Sequence, residues 1–588
     1  MKYRLRGNFT KNSAECLREL LEARGITDWQ SYIHPNSSAE LSPYDLENIE
    51  AGVKMVLRHL KRNSNICILV DSDCDGFTSA AILWNYIKHI YPNARLSYKL
   101  HEGKRHGLAD TVEWFEEQNF DLILCPDSSS YDKQEMERLV ERGMEVCALD
   151  HHSGELEEVF QSPHAIVINN QLSPNYKNKE LCGAGIVYKF LMVMDDYLNI
   201  IVSPMFLDLV AFGNICDVMW MGSMETRYYI MEGLQHITNK GLMALLASVD
   251  YRLKGRGIPP YRGLSPIDVA FYCGPAINAV TRVGTLAENE MMFLAFIDPE
   301  REVPSTKQRA RDGDTETIAE QFARVADNVK ARQGRQVERA MNILRFKIAK
   351  DNLDANNIIV VEVEPEDEIP QAISGLCAQK ILSETGHPCI LGRRGGDDVL
   401  RGSMRSSALF EHLPSFKEFL ENSGYAIVKG HANAAGFELP LQSLSSFIKY
   451  SNQVLSPEDF TNICVCDYEF DATESTIYSV GMVIGNATTL WGNGVDEVKV
   501  AIKNLPLGAI QIMGQKKNCL KISYKGVDYV RFGDTDMIEA LMENRLRKID
   551  IIGSFSVNEW NGRRSLQVFI DEWQFSNEEE EKAHKFDF

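Results

Sequence analysis

The chain has 588 residues, of which 44% are hydrophobic and 25% charged, with a formal net charge of −21. That length suits about three to five domains and that composition an ordinary soluble globular protein, and no window reaches the roughly 18–20 consecutive apolar residues of a membrane span. The acidic balance argues against coating of nucleic acid by the whole surface, although a local basic channel still guides a strand through an acidic protein.

The N-terminus, MKYRLRGNFTKNSAECLREL, carries basic residues but no apolar core, so no signal peptide is expected. The 13 cysteines include no CxxC pair, which excludes a zinc ribbon or disulfide framework and fits a reducing cytoplasm. Residues 1–50 read as a short helical segment, AECLRELLEARG, followed by a Pro/Ser-containing loop. An α/β pattern fills 51–310. NICILV (65–70) is a strand followed by DSDCDG and an amphipathic helix, FTSAAILWNYIKHI; DLILC (121–125) and MEVCAL (144–149) are further strands. Short apolar runs alternating with helical patterns predict a parallel sheet with helices on both faces, and each run stops at a carboxylate, where such sheets gather their functional residues. Residues 311–352, Arg-rich and free of Pro from 315 to 350, read as one long connecting helix. A second α/β pattern, 353–455, starts at NNIIVVEV and holds the Gly-rich stretches RRGGDD, RGSMRS and KGHANAAGF. From 456 to 575 the pattern is β-rich, with KVAI, LKISY, DYVRF, IDIIGSF and SLQVFI separated by Gly and Asn-Gly turns, which predicts a small barrel. Residues 576–588, SNEEEEKAHKFDF, form a charged tail.

Asp71, Asp73 and Asp75 alternate in DSDCDG. Asp127 follows the next strand in LCPDSSSYD, and Asp150, His151 and His152 follow a third in ALDHHSGE. Asp217 ends an apolar helix pattern in AFGNICDVMWM. One acidic loop is ordinarily a solvated turn or a helix cap. Four such segments, three of them at strand ends and one with paired histidines, point instead to carboxylates whose mutual repulsion a divalent cation relieves. An oxygen-rich set with imidazole suits Mn²⁺ or Mg²⁺, and the nitrogen ligand favours Mn²⁺.

These four motifs, DSDCDGFTS, PDSSSYD, LDHHSGE and GNICDVMWM, resemble in order those of the DHH phosphoesterase superfamily. Further segments resemble its RecJ branch: LCGAGIVYKFL a Gly-Ala-Gly helix start, FYCGPAINAVTRVG a Pro-Arg…Asn-Ala…Gly-Arg segment, and RGSMRS and KGHANAAGF the signatures of the DHH-associated domain. LWGNGVDEVKVAI, NCLKISY and IIGSFSVNEWNGRRSLQVFIDEW resemble the OB domain that follows. The resemblance covers about residues 50 to 575. It departs from the family at Pro275–Ala276, where Pro-Arg is usual, at Asp-Ser-Ser in the second motif, and at Lys429–Gly430 before His431.

The resemblance implies a multidomain α/β fold: a parallel-sheet DHH domain, a connecting helix, an α/β DHH-associated domain and a C-terminal OB-like β-barrel. It implies two divalent metal ions, Mn²⁺ preferred and Mg²⁺ the alternative, held by Asp71, Asp73, Asp75, Asp127, His151 and Asp217. Asp127 is the candidate bridge, His152 contacts the scissile phosphate, and Asp150 orients a histidine from behind. Ser403, Arg405 and His431 bind substrate phosphates from the associated domain, and Arg282 reaches the strand from the far end of the DHH domain. The implied activity is hydrolysis of single-stranded DNA from a 5′ end with release of 5′-mononucleotides, in repair, recombination or replication. Tyr524, Tyr529, Trp560, Arg563 and Arg564 of the barrel are candidates for base stacking and phosphate contact, and the tail, with Phe586 and Phe588, for a peptide that docks on a single-strand-binding or other replication protein. The competing readings are a nanoRNase, cyclic-dinucleotide phosphodiesterase or pyrophosphatase on the same fold, whose chains generally lack the OB-like part, and a replication scaffold without metals, which would have lost motif carboxylates that are all present here.

Overall fold

A computed structural model describes residues 1–576 apart from 104, 161, 515 and 561, and omits the side chain of Trp560. The expectation for the acidic tail therefore lies outside the described residues, except at Ser576, as does that for the Trp560 side chain.

Residues Tyr3–Leu5 form β1, and helix α1 spans Ile49–Lys61. The first α/β unit is built on five strands: β2 (Ile66–Val70), followed by helix α2 (Cys74–Ile90), then β3 (Leu96–Leu100), β4 (Leu122–Pro126), β5 (Glu145–Asp150) and β6 (Ala165–Asn169). All pair in parallel in the order β3-β2-β4-β5-β6. Alternate residues feed two cores. Ile66, Ile68 and Val70 pack with α1, α2 and the helices that follow β6. Cys67 and Leu69 pack with Val112, Phe115, Met136 and Leu139 on the other face. Burial on both faces explains why β2, β4 and β5 are continuous apolar runs. The chain leaves β2 for β3 on one side and returns to β4 on the other, so the order reverses between β2 and β4, where open parallel sheets form their crevice.

Helices α3 (Gly183–Leu198), α4 (Leu207–Cys216) and α5 (Gly274–Val283) complete this unit. The connecting helix α6 runs Ile318–Lys350. Its start corrects the expected one at 311, because Glu302–Pro304 and Thr315–Thr317 pair as an antiparallel hairpin. Thr317 then caps the helix by accepting from Glu320 N. Phe322, Ala326 and Val329 of α6 belong to the core of the first α/β unit, whereas Val337, Met341, Leu344 and Ile348 belong to the core of the next domain. That domain has β7 (Ile359–Glu362), helix α7 (Ser374–Thr385), β8 (Cys389–Arg394), β9 (Val399–Arg405), β10 (Ile427–His431) and β11 (Ala434–Pro440). Its sheet order is β10-β11-β9-β8-β7, parallel only between β7 and β8.

After β12 (Cys464–Cys466), the C-terminal sheet comprises β13 (Tyr468–Asp471), β14 (Lys499–Pro506), β15 (Ala509–Met513), β16 (Cys519–Tyr524), β17 (Val527–Phe532), β18 (Lys548–Trp560) and β19 (Arg563–Phe575), in the order β13-β14-β18-β19-β17-β16-β15. Tyr529 is buried in its core with Tyr524 packed against it, so Tyr529 is a packing residue rather than a stacking platform. This sheet is fused to the first α/β unit. One apolar cluster runs from Cys16 and Tyr32 through the helices of that unit to Val500 and Ile551, and β1 pairs in parallel with β12. Wholly buried Arg227 donates to Tyr32 O at 3.0 Å and to Thr489 O at 2.7 Å.

Candidate metal centre and substrate cavity

The four acidic segments converge at the β2/β4 crevice. Asp71 leaves β2, and its Oδ2 lies 2.9 Å from His106 Nδ1 while Oδ1 accepts from Gly107 N at 3.1 Å. Asp73 caps α2 by accepting from Gly76 N at 3.0 Å. Asp75, in the first turn of α2, accepts from Gly183 N at 2.6 Å and Ala184 N at 3.0 Å. The positive end of α3 thus faces a carboxylate, a favourable pairing. Two glycines permit this closeness. A Cβ on Gly183 would come within 2.5 Å of Asp127 Cβ, and one on Gly213 of α4 within 2.5 Å of Asp75 Oδ1.

Asp127 follows β4 with φ of +64°. It is buried, and neither of its carboxylate oxygens has a hydrogen-bond partner. His151 Nε2, also without one, lies 3.2 Å from Asp127 Oδ1, 3.4 Å from Asp217 Oδ2 and 3.9 Å from Asp75 Oδ2. Asp150, the last residue of β5, faces the other way: its Oδ1 accepts from His151 N at 2.7 Å and lies 2.8 Å from His152 Nδ1, and its Oδ2 accepts from Ser130 N at 3.0 Å. Asp217 closes α4.

Three sets of donor atoms each lie within 4.8 Å of one another: Asp71, Asp73 and Asp127; Asp75, His151 and Asp217; and Asp127, His151 and His152. Asp127 and His151 each belong to two sets. The carboxylates of the cluster repel one another. Burial, then the charges of Asp75, Asp73, Asp71 and Asp217, holds the Asp127 carboxyl well above its ordinary range. Burial, then Asp75 and Asp73, pushes Asp217 up to about 8. Burial, then His152, pushes His151 down, into the neutral form that ligates metal. Orphaned buried oxygens and an orphaned imidazole nitrogen fit divalent cations of the Mn²⁺ or Mg²⁺ kind.

Arg282 of α5, Ser403 and Arg405 of β9, and His431 of β10 line one cavity of about 770 Å³ together with Lys429. Arg282 is near enough to Asp73 to feel its charge, and burial, then Arg282, lowers Arg405 from its ordinary value. Two partly buried guanidiniums in mutual repulsion beside an acidic cluster favour an anion between them. Ala276, where the family carries Arg, is fully buried.

His101 and His106, which the sequence reading did not single out, also reach the site. The ring of His106 meets that of His152 edge-on at 4.6 Å, and His101 Nε2 lies 3.6 Å from Asp71 Oδ1. Burial pushes His101 down to about 4. Both lie in HEGKRHGL, just beyond β3, and recognising LSYKL as a strand would have placed that loop at the carboxyl edge of the sheet.

The DHH family N-terminal domain matches residues 65–214, and the RecJ OB domain matches residues 470–572. YorK of the SPbeta prophage of Bacillus subtilis (strain 168), described as a single-strand DNA-specific exonuclease, is 34% identical over 585 residues, covering 97% of this chain and 98% of YorK. The single-stranded-DNA-specific exonuclease RecJ of Bacillus subtilis (strain 168) is 23% identical over 580 residues, covering 94% of this chain and 68% of that protein. The crystal structure of Thermus thermophilus RecJ in complex with Mn²⁺ shares the fold, with a TM-score of 0.70 at 21% identity over 98% of this chain and 78% of that one. The chain therefore belongs to the DHH family, in its RecJ branch.

Proposed function

We propose that this protein is a divalent-metal-dependent exonuclease that hydrolyses phosphodiester bonds of single-stranded DNA, starting at a 5′ end and releasing 5′-mononucleotides. The observation that carries this reading is the abutment of two unlike sites: a buried cluster with orphaned ligand atoms on Asp127 and His151, and an arginine-lined cavity that starts at Arg282. The names of YorK and RecJ supply the polymer class.

Asp71, Asp73, Asp75, Asp127, His151 and Asp217 would hold two divalent ions, Mn²⁺ by preference, and Asp127 belongs to two of the donor sets. Bound there, the ions supply Lewis-acid activation of water and of the phosphate oxygens. The chain's own groups do the rest. Arg282, Ser403, Arg405 and His431 grip the phosphates and hold the strand against the cluster. His152, with Nδ1 tied to Asp150, presents Nε2 to the scissile phosphate. The burial of Asp71, Asp75 and Asp127 strengthens every charge interaction at the reacting bond.

Digestion of 5′- and 3′-labelled single strands, in DNA and RNA versions with Mn²⁺ or Mg²⁺, tests this reading. Mononucleotides released first from the 5′-labelled DNA are expected. Turnover of dinucleotides alone assigns the chain to the small-substrate phosphodiesterases instead.

A further inference from the structure

Val218, the residue after Asp217, has φ of +61°. A β-branched residue adopts this left-handed conformation only where its surroundings over-determine it. Part of the constraint is local, the C-terminal cap of α4, in which Val218 N donates to Ile215 O at 3.3 Å and Met219 N to Asn214 O at 3.0 Å; the rest comes from far along the chain. Asn493 Nδ2 donates a hydrogen bond to Val218 O, and Met221 N donates to Asn493 O at 3.0 Å.

Asn493 lies in the turn Trp491-Gly492-Asn493-Gly494 ahead of β14, inside the segment that matches the RecJ OB domain. The turn sits flush on the residues after Asp217. A Cβ on Gly492 would come within 2.0 Å of Met221 Sδ, and one on Gly494, itself at φ +72°, within 2.1 Å of Trp220. A side chain at either position would have to displace Met221 or Trp220. The turn is anchored from behind, since Trp491 is buried, the Arg24 guanidinium lies 5.4 Å from its ring, and Arg227 holds Thr489 O. On the other side, Asp217 N still bonds to Gly213 O at 2.9 Å. Asp217 is thus pinned between the last turn of α4 and a strained residue that the C-terminal domain holds.

We propose that Asn493 is a positioning residue of the metal centre: by keeping Val218 in its left-handed turn, it keeps the Asp217 carboxylate aimed at His151 and Asp75. The C-terminal domain is then a structural part of the metal site as well as a surface for the strand. The inference rests on the assignment of Asp217 as a ligand under the proposed function.

The test is Mn²⁺ binding to the metal-free full-length chain, read by calorimetry and by the electron paramagnetic resonance of the bound ion. The wild type is compared with Asn493→Ala, Val218→Gly, the double variant and Asp217→Asn. Asn493→Ala is expected to weaken one Mn²⁺ site roughly tenfold, the scale set by left-handed strain that is no longer supported. Glycine adopts positive φ readily, so Val218→Gly is expected to bind as wild type and to restore most of the affinity in the double variant, a rescue that a merely structural role would not give. Asn493→Leu, of nearly the same shape without the donor, replaces the alanine variant if that variant does not fold. Wild-type affinity in the folded Asn493 variant, or a double variant as weak as the single one, overturns the proposal. Asp217→Asn separates the two readings. If it binds Mn²⁺ as wild type, the ligand assignment fails and takes the proposal with it; if it binds weakly while Asn493→Ala does not, the proposal alone fails.

Discussion

His151 Nε2 lies 3.2 Å from Asp127 Oδ1, and neither atom is engaged in a hydrogen bond. Neighbouring ligands of one octahedral cation at about 2.1 Å stand roughly 3 Å apart, so the pair already has the spacing of two ligands to one ion. Filling the site removes the repulsion that raises Asp127 and Asp217. Mn²⁺ at about a hundred times its Kd is therefore expected to stabilise the protein by roughly 2.7 kcal/mol, and chelation to reverse this. A melting temperature indifferent to Mn²⁺ contradicts the assignment.

Asp150 is expected to matter through His152. Although burial opposes its charge, the contact with His152 holds its carboxyl well below the ordinary range, and Asp150 in turn outweighs burial to bring His152 up to about 10. Asp150→Asn removes the charge that fixes the ring and is expected to cut turnover about 10–100-fold, with most of the Mn²⁺ affinity retained. Steady-state kinetics alongside calorimetry checks both halves; unchanged turnover excludes Asp150 from the site.

Arg405 and His431 belong to the second domain, on β9 and β10, and line the cavity rather than the cluster. Arg405→Ala is expected to weaken strand binding about 10–100-fold, the worth of a charged hydrogen bond, and His431→Ala less so, with Mn²⁺ affinity intact in both. Fluorescence anisotropy of a labelled oligonucleotide in the presence of Ca²⁺ reads the binding. A collapse of metal affinity in either variant contradicts the division of labour between the two domains.

Glu316, buried ahead of α6, is paired with Arg324 at 2.7 Å. Its bond to Arg324, against the effect of burial, holds its carboxyl down at about 2, below the ordinary 4.5. A carboxyl lowered on folding contributes stability that is complete above its unfolded value and is lost as pH falls towards its folded one. Wild type is therefore expected to exceed Glu316→Gln in stability at neutral pH, with the difference shrinking between pH 4.5 and 2. Urea unfolding at several pH values measures this; a difference constant with pH excludes the linkage.

Strands β2, β4 and β5 were legible because burial on both faces leaves them continuously apolar. LSYKL (β3) was not, since it is an edge strand with Ser97 exposed and Leu96, Tyr98 and Lys99 half-buried. The same blind spot hid His101 and His106, which only the sheet order brings to Asp71. The metal-site motifs were legible because they lie in short contiguous segments at strand ends and at the close of α4. Reading the C-terminal part as a separate unit missed the shared core, since pairings such as β1 with β12, or Arg227 with Thr489, join residues hundreds of positions apart and leave no local pattern. Arg227→Ala, which leaves one buried and one partly buried carbonyl unpaired, is accordingly expected to cost about 2–4 kcal/mol, read by urea unfolding of the full chain.

The most direct test of the central claim is the release of 5′-mononucleotides from a 5′-labelled single-stranded DNA with excess Mn²⁺, comparing wild type with Asp127→Asn purified in parallel. Asp127 is buried at the centre of the cluster and shared by two donor sets, so its loss removes the junction of the site while relieving repulsion in the fold. Steady release by wild type, and none by a variant with an unchanged or higher metal-free melting temperature, is the expected result. Release by Asp127→Asn at the wild-type rate contradicts the claim that this cluster is the hydrolytic centre.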